Sequence, residues 1–169
     1  MNYHDQEWGV PLHDEHKHFE FLLLECMQAG LSWHTILLKR ENFRKAFANF
    51  EVKKVAAFNN DDIERLMSDP GIIRYRLKIE AAINNGRAFM AVQNEFGSFD
   101  AYIWSFTQNK TVVNHWQELK QVPTKTQLSD TISKDMKARG FKFVGSTTIY
   151  SHLQAIGIVN DHLVSCFKH

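Results

Sequence analysis

Apolar residues recur at helical spacing along most of the chain, and this pattern predicts an all-α protein. Asp14 stands as the N-cap of the first segment, which runs to about Gly30 with Phe19, Leu22, Leu23 and Cys26 on one face. Phe21 and Leu24 fall outside that stripe, so this helix is apolar nearly all round and belongs at the centre of the fold. Ser32 caps the next helix, where Trp33, Ile36, Leu37, Arg40, Phe43 and Phe47 recur. Asn60, followed by Asp61 and Asp62, opens a short helix to about Ser68, with acids in the turn that the helix dipole favours. Pro70-Gly71 interrupts the pattern, and a long helix follows to about Gln93. Ser98 caps Phe99 to Phe106, and Ser129 caps a helix to Arg139 that Gly140 stops. Phe141 to Gly145 is ambiguous, although its Phe-Lys-Phe-Val alternates like a strand. Thr147 to Ile156 is helical again and ends at Gly157, and a last short helix carries His162 to Cys166.

Composition narrows the class more than the function. Hydrophobic residues make up 44% of the 169 and charged residues 23%, the balance of a soluble folded chain. The apolar run Phe21 to Leu24 is bounded by Glu20 and Glu25, far short of a bilayer span, and no leader opens the chain. Two cysteines, Cys26 and Cys166, build no disulfide framework and fit a reducing cytoplasm. Lys and Arg number 20 against 19 Asp and Glu, so the net charge of +1 does not itself mark a nucleic-acid partner. Any such signal must lie in the distribution of charge. The 13 Phe are mainly core, while 4 Trp and 9 His supply candidates for stacking and for metal binding.

Three constellations could carry chemistry. Glu25 sits in Phe-Leu-Leu-Leu-Glu-Cys on the most buried helix, where desolvation raises the pKa of a carboxyl that meets no donor or cation. It is either a structural carboxylate bonded to a neighbouring helix end or a buried acceptor aimed into a pocket. Trp33 follows just beyond the break Ala29-Gly30-Leu31-Ser32 and is either core or the stacking surface for a flat heterocycle. His162 and Cys166, four apart, share a helix face and can chelate one ion, with His4 a third ligand from the other end of the chain. The alternative is a buried thiol beside an exposed imidazole. Ser68 to Arg74 reads as a tight hairpin whose amides, at the start of a helix, can accept a phosphate. Arg74, Arg76 and Lys78 follow at once. A second basic cluster, Lys134, Lys137, Arg139 and Lys142, precedes the Ser146-Thr147-Thr148 run. The alternative for the hairpin is an ordinary helix-helix turn with a solvated basic face, which is commoner in general, and neither patch is decisive alone.

These words together resemble the bacterial 3-methyladenine DNA glycosylase I family of the helix-hairpin-helix glycosylase superfamily. The resemblance rests on Tyr3-His4-Asp5, Glu7-Trp8-Gly9-Val10-Pro11, Leu24-Glu25, Gln28 to Trp33, Lys39-Arg40-Glu41-Asn42 and Gly71-Ile72-Ile73-Arg74. It continues through Trp104-Ser105-Phe106 and Arg139 to Gly145 and closes on Gly157 to His162, covering nearly the whole chain in order. What it implies is an all-α helix-hairpin-helix DNA glycosylase fold in a single domain over 1–169. Within that domain the resemblance pairs a helix-hairpin-helix lobe, 35–145, with a smaller lobe of residues 1–34 and 146–169. Glu25 would recognise the flipped methylated base through its exocyclic amine and ring edge, Trp33 would stack on it, and Tyr3 and Trp8 would line the pocket. Gly30 and Leu31 would enter the gap left in the DNA stack. Gly71, Ile73 and Arg74 would grip the phosphate backbone, with Ile73 standing where the wider superfamily has a second Gly. His4, His162 and Cys166 match three of the family's four ligands for a structural zinc. The family's first ligand, a Cys, and a Trp near the base pocket belong to a stretch that would lie before Met1.

The activity implied is that of a monofunctional, monomeric, cytoplasmic enzyme with no membrane partner, acting on double-stranded DNA. It would flip out N3-methylated adenine, hydrolyse the N-glycosidic bond, and release 3-methyladenine from an abasic site. No Lys is evidently placed as a Schiff-base nucleophile. Two competing readings are a DNA-structure-binding protein that keeps the fold without the chemistry, and a zinc hydrolase. The first predicts indifference to Glu25→Gln; the second needs an open metal position beside a base.

Overall fold

The computed structural model describes residues 7–162. Helix α1, Glu15–Gln28, is capped by the Asp14 side chain, which accepts from the Lys17 N–H. Every residue from His18 to Met27 is buried, as its all-round apolar character predicts. It packs against α2 (Trp33–Leu38), α6 (Arg76–Phe96), α7 (Phe99–Ser105) and α9 (Ser146–Ala155), so it is the element around which the core is assembled. The remaining helices are α3 (Arg40–Ala46), α4 (Val52–Ala56), α5 (Asn60–Met67) and α8 (Gln127–Ala138). Two 3-10 turns and a parallel pairing of β1 (Val112–Val113) with β2 (Val159–Asn160) complete the described chain.

Local chemistry explains where the elements depart from the sequence pattern. The helix expected from Trp33 to Phe47 breaks at Lys39 into α2 and α3. The turn lets Arg40 grip two carboxylates, Glu20 through Nε at 2.7 Å and Glu7 through both terminal nitrogens at 2.9 Å. α5 opens at Asn60 as expected, and Asn59 caps it in a reciprocal capping box with Asp62. Thr126, not Ser129, caps α8, because Ser129 is the third helical residue and returns the bond to the Thr126 N–H at 2.8 Å. The Phe141 to Gly145 segment is not a strand. Its backbone is held by side chains instead: Asn85 accepts from the Lys142 N–H at 2.8 Å and donates to its carbonyl at 2.9 Å, and Ser133 donates to Val144 O at 2.5 Å. Phe143 meanwhile takes a φ of 58°, which no strand allows. The last expected helix lies outside the described residues apart from His162, which is not helical.

The start of the described chain crosses the end of α9. Gly9 N–H donates to Ala155 O at 3.2 Å and Leu12 N–H to Ile156 O at 2.9 Å. The crossing is so close that a Cβ at Gly157 would lie 2.4 Å from Pro11 N, and Gly157 also takes a φ of 79°. Only glycine meets both demands. This crossing delivers Trp8 to the face of α9. Among the described residues no helix is long and apolar enough to cross a membrane.

Candidate functional site

Two carboxylates lie buried on α1 with opposite fates. Glu20 is 2% exposed and meets Arg40 at 2.7 Å and Arg44 at 3.2 Å. Glu25 is 3% exposed, and its Oε2 has no hydrogen-bond partner among the described residues. Burial alone pushes the Glu25 carboxyl up to about 8, with no cation opposing the shift. A protein that only needed stability would not keep such a group. Glu25 therefore resolves toward the pocket acceptor rather than the helix-end tie.

Glu25 opens into a cavity of about 180 Å³ lined by Trp8, Glu25, Gln28, Trp33, Ser151 and Gln154. Larger hollows elsewhere on the surface lack an uncompensated buried charge, so chemistry and not volume selects this one. Two indoles walling a buried carboxyl suit a flat heterocycle that carries positive charge. Trp8, Glu25 and Trp33 are thus brought together from the approach to α1, from α1 itself and from the start of α2. Gln28, Ser151 and Gln154 join them. Glu25 with Gln28 and Ser151 with Gln154 are three apart on their helices, which puts each pair on one face.

Gly30 and Leu31 form the turn that leaves α1. Gly30 takes a φ of 81°, Leu31 N–H donates back to Gln28 O at 2.6 Å, and the Leu31 side chain is 38% exposed. Lys78, one of the three cations that follow the hairpin in sequence, serves this turn. It is buried, and its ammonium donates to Met27 O at 2.8 Å and Ala29 O at 2.6 Å, capping α1 where the dipole is negative. Burial lowers its pKa. Lys78→Met is expected to strand these carbonyls and cost about 1–2 kcal/mol in urea unfolding.

Ser68 to Tyr75 makes the expected turn into α6. The Gly71 N–H is already committed to Asp69 Oδ1 at 2.8 Å, and Gly71 sits against the Asn42 side chain. Among the described residues the N–H groups of Ile72, Ile73 and Arg74 have no protein acceptor, and Arg74 is exposed. The Tyr75 ring centroid lies 5.9 Å from the Lys78 ammonium, which places the exit of the hairpin beside the Gly30 turn. Arg76 is not a spare cation: it pairs with Glu64 at 2.8 Å and Glu80 at 2.9 Å. In the second basic cluster Arg139 is held by Asp135 at 2.8 Å and Glu95 at 2.5 Å, and the Ser146 hydroxyl donates to Asp130.

Of the sequence-derived zinc ligands, His4 and Cys166 lie outside the described residues, as does the base-pocket candidate Tyr3. His162 is buried, with its ring edge-on to Trp8 at a centroid distance of 4.7 Å. Among the described residues no three His, Cys, Asp or Glu side chains gather as a metal site.

The fold is that of solved DNA glycosylases. The structure superposes on a crystal structure of 3-methyladenine DNA glycosylase I with a TM-score of 0.96 and 48% identity, covering 99% of this chain and 92% of that one. A Staphylococcus aureus 3-methyladenine DNA glycosylase I, described for the structural basis of its 3-methyladenine recognition, matches with a TM-score of 0.96 and 40% identity. That match covers 99% of this chain and 89% of the other. The DNA-3-methyladenine glycosylase 1 of Escherichia coli strain K12 is 51% identical over 97% of this chain and 88% of its own length. The methyladenine glycosylase profile matches residues 1–169. The chain belongs to the methyladenine glycosylase family.

Proposed function

We infer that this protein excises N3-methylated adenine from double-stranded DNA by hydrolysing its N-glycosidic bond, as a monomeric cytoplasmic repair enzyme. The observation that carries the reading is Glu25, a buried carboxyl with an unpartnered oxygen in a cavity walled by Trp8 and Trp33. Methylation at N3 gives the adenine a positive charge that an unmodified base lacks. At neutral pH the empty cavity holds Glu25 as the neutral acid, since its pKa lies at about 8. A cationic base entering beside it favours the carboxylate, so the acid gives up its proton to solvent water and the pair forms in low dielectric. Neutral adenine offers no such exchange.

The same charge drives the chemistry. As the C1′–N9 bond breaks, its electron pair passes to the base, which leaves as neutral 3-methyladenine while positive charge develops on the sugar. The carboxylate opposes that charge throughout. Water then adds to C1′ and loses a proton, leaving an abasic site. No general acid is needed for so good a leaving group. Leu31 at the Gly30 turn would fill the space of the flipped nucleotide, offsetting the few kcal/mol of unstacking. The free amides of Ile72, Ile73 and Arg74 would bind the backbone phosphate beside it in the manner of a helix-hairpin-helix. Tyr3 would complete the pocket wall. His4, His162 and Cys166 form a donor set suited to zinc, which would act as a structural clip between the chain ends.

Incubation of the protein with N-methylated duplex DNA, followed by chromatography of the released bases, tests this directly. The expected result is free 3-methyladenine with abasic sites in intact strands. DNA binding without any base release would overturn it.

A further inference from the structure

The turn that leaves α1 is a type II turn over Gln28 to Leu31. Ala29 has φ −47° and ψ 119°, Gly30 has φ 81°, and the Leu31 N–H closes the turn on Gln28 O at 2.6 Å. The Leu31 carbonyl accepts in addition from the Gln28 side-chain nitrogen at 3.3 Å. Neither bond fixes the plane of the Ala29–Gly30 peptide, because a type I turn closes with the same N–H on the same carbonyl. Passing from one form to the other rotates that peptide by roughly 150° and sends its carbonyl to the opposite side of the turn.

Lys78 fixes that plane. Its buried ammonium donates to Ala29 O at 2.6 Å and to Met27 O at 2.8 Å, so the Ala29 carbonyl is drawn inward. The N–H of a trans peptide points away from its carbonyl, so the Gly30 N–H is turned away from Lys78; Gly30 is exposed, and this N–H has no acceptor among the described residues. The position is a costly one for a cation. Lys78 is the third residue of α6, at the positive end of that helix dipole, and it is largely removed from water. What the placement provides is a strut. Helix α6 begins directly after the hairpin Ser68 to Tyr75, and the Tyr75 ring centroid lies 5.9 Å from the same ammonium. One side chain thus joins the segment that would grip phosphate to the segment that would enter the DNA stack.

We propose that Lys78 is a positioning residue for base flipping: from the first turn of α6 it holds the Ala29–Gly30 peptide with its carbonyl inward and its N–H outward, so that the tip of the turn presents a donor, and not an acceptor, to DNA. The inference rests on the function proposed above and deepens it. The phosphate backbone is anionic, and a carbonyl turned outward would repel it where an N–H does not. A turn free to flip would also meet the duplex in a mixture of forms, and ordering it in advance leaves less freedom to be lost on binding. Gly30 serves the same end. Its φ of 81° is the angle that type II requires at this position and type I does not. A Cβ there would meet nothing within 4 Å, so Gly30→Ala opposes the observed form through the backbone alone.

The test is a double-mutant cycle of Lys78→Met and Gly30→Ala. It is read as single-turnover release of 3-methyladenine from N-methylated duplex DNA, beside binding of free 3-methyladenine followed by quenching of tryptophan fluorescence. Each single variant is expected to release base about tenfold more slowly, and the double variant to stay within about twofold of the slower single, since both changes undo one turn form. Free 3-methyladenine is expected to bind all three within about twofold of wild type, because the cavity side chains are untouched and only a lost fold would weaken it. Lys78→Gln keeps neutral donors at this buried position and serves where Lys78→Met does not fold. It is expected to fall between wild type and Lys78→Met and to show the same coupling to Gly30→Ala. Losses that multiply to about a hundredfold in the double variant, or free-base binding that falls in step with release, overturn the assignment of Lys78 and leave the glycosylase reading standing. Wild type that releases no base removes both.

Discussion

At about pH 9 the Glu25→Gln variant is expected to resist urea better than wild type, whereas at about pH 5 the two should unfold at nearly the same concentration. Unfolded, the Glu25 carboxyl titrates at its ordinary value of 4.5; in the folded protein it titrates at about 8. Between these values the unfolded chain has released a proton that the folded chain still holds. Folding stability therefore falls as pH rises across this window and is level on either side of it. A gap of this size corresponds to roughly 5 kcal/mol once the folded carboxyl is fully ionised. Gln cannot ionise, so the variant escapes the loss. Urea midpoints of both proteins across the range check this, and parallel curves would contradict it. The same substitution that stabilises the fold is expected to disable the site, which is what a group kept for function predicts.

Asp161→Ala should be the most destabilising single substitution near the cavity. It strands four donors at once, on Asn114, Trp116, Tyr150 and Gln154, of which the Tyr150 hydroxyl is fully buried. Leaving buried donors unmet costs about 1–3 kcal/mol each where water cannot replace the partner. A loss of about 3–5 kcal/mol follows if water reaches the outer groups. For a chain of this size that lowers the melting temperature by roughly 10 °C. Asp161→Asn retains one acceptor oxygen and should recover a substantial part of the loss. Thermal unfolding of the two variants side by side measures it, and a midpoint for Asp161→Ala within a degree or two of wild type would mean the network contributes little.

Much of this molecule can be read from its residues, and what cannot has a common physical cause. Helix α1 was legible because its apolar residues exceed one stripe and Asp14 precedes them, both local features. Ser98 and Ser32 were legible as caps for the same reason. Ser129 misled because a capping box with Thr126 places hydroxyls at both of its ends, and spacing alone does not say which is outside the helix. Phe141 to Gly145 is ambiguous in sequence because the partners of that backbone, Asn85 and Ser133, are distant along the chain. The two-residue strands are too short for any pattern to show.

The candidate site divides along the same line. A carboxylate in an apolar run draws notice, but Glu20 and Glu25 share that property equally. Only the tertiary fold distinguishes them, by bringing Arg40 and Arg44 to one and, among the described residues, no hydrogen-bond partner to Oε2 of the other. Lys78 reads as one more cation after the hairpin until its ammonium is found on the carbonyls that end α1. Gln154 carries no local signal beyond its spacing from Ser151, because its orientation is imposed by Asp161.

The central claim is that Glu25 is retained, at a cost in stability, to hold a cationic base. It is tested most directly by the single-turnover rate of 3-methyladenine release from N-methylated duplex DNA, for wild type and Glu25→Gln at neutral pH. The account predicts that the variant binds DNA and stays folded but releases base about 100-fold or more slowly, the scale of losing one preorganised charge from a buried site. Release at the wild-type rate by a folded Glu25→Gln would contradict it.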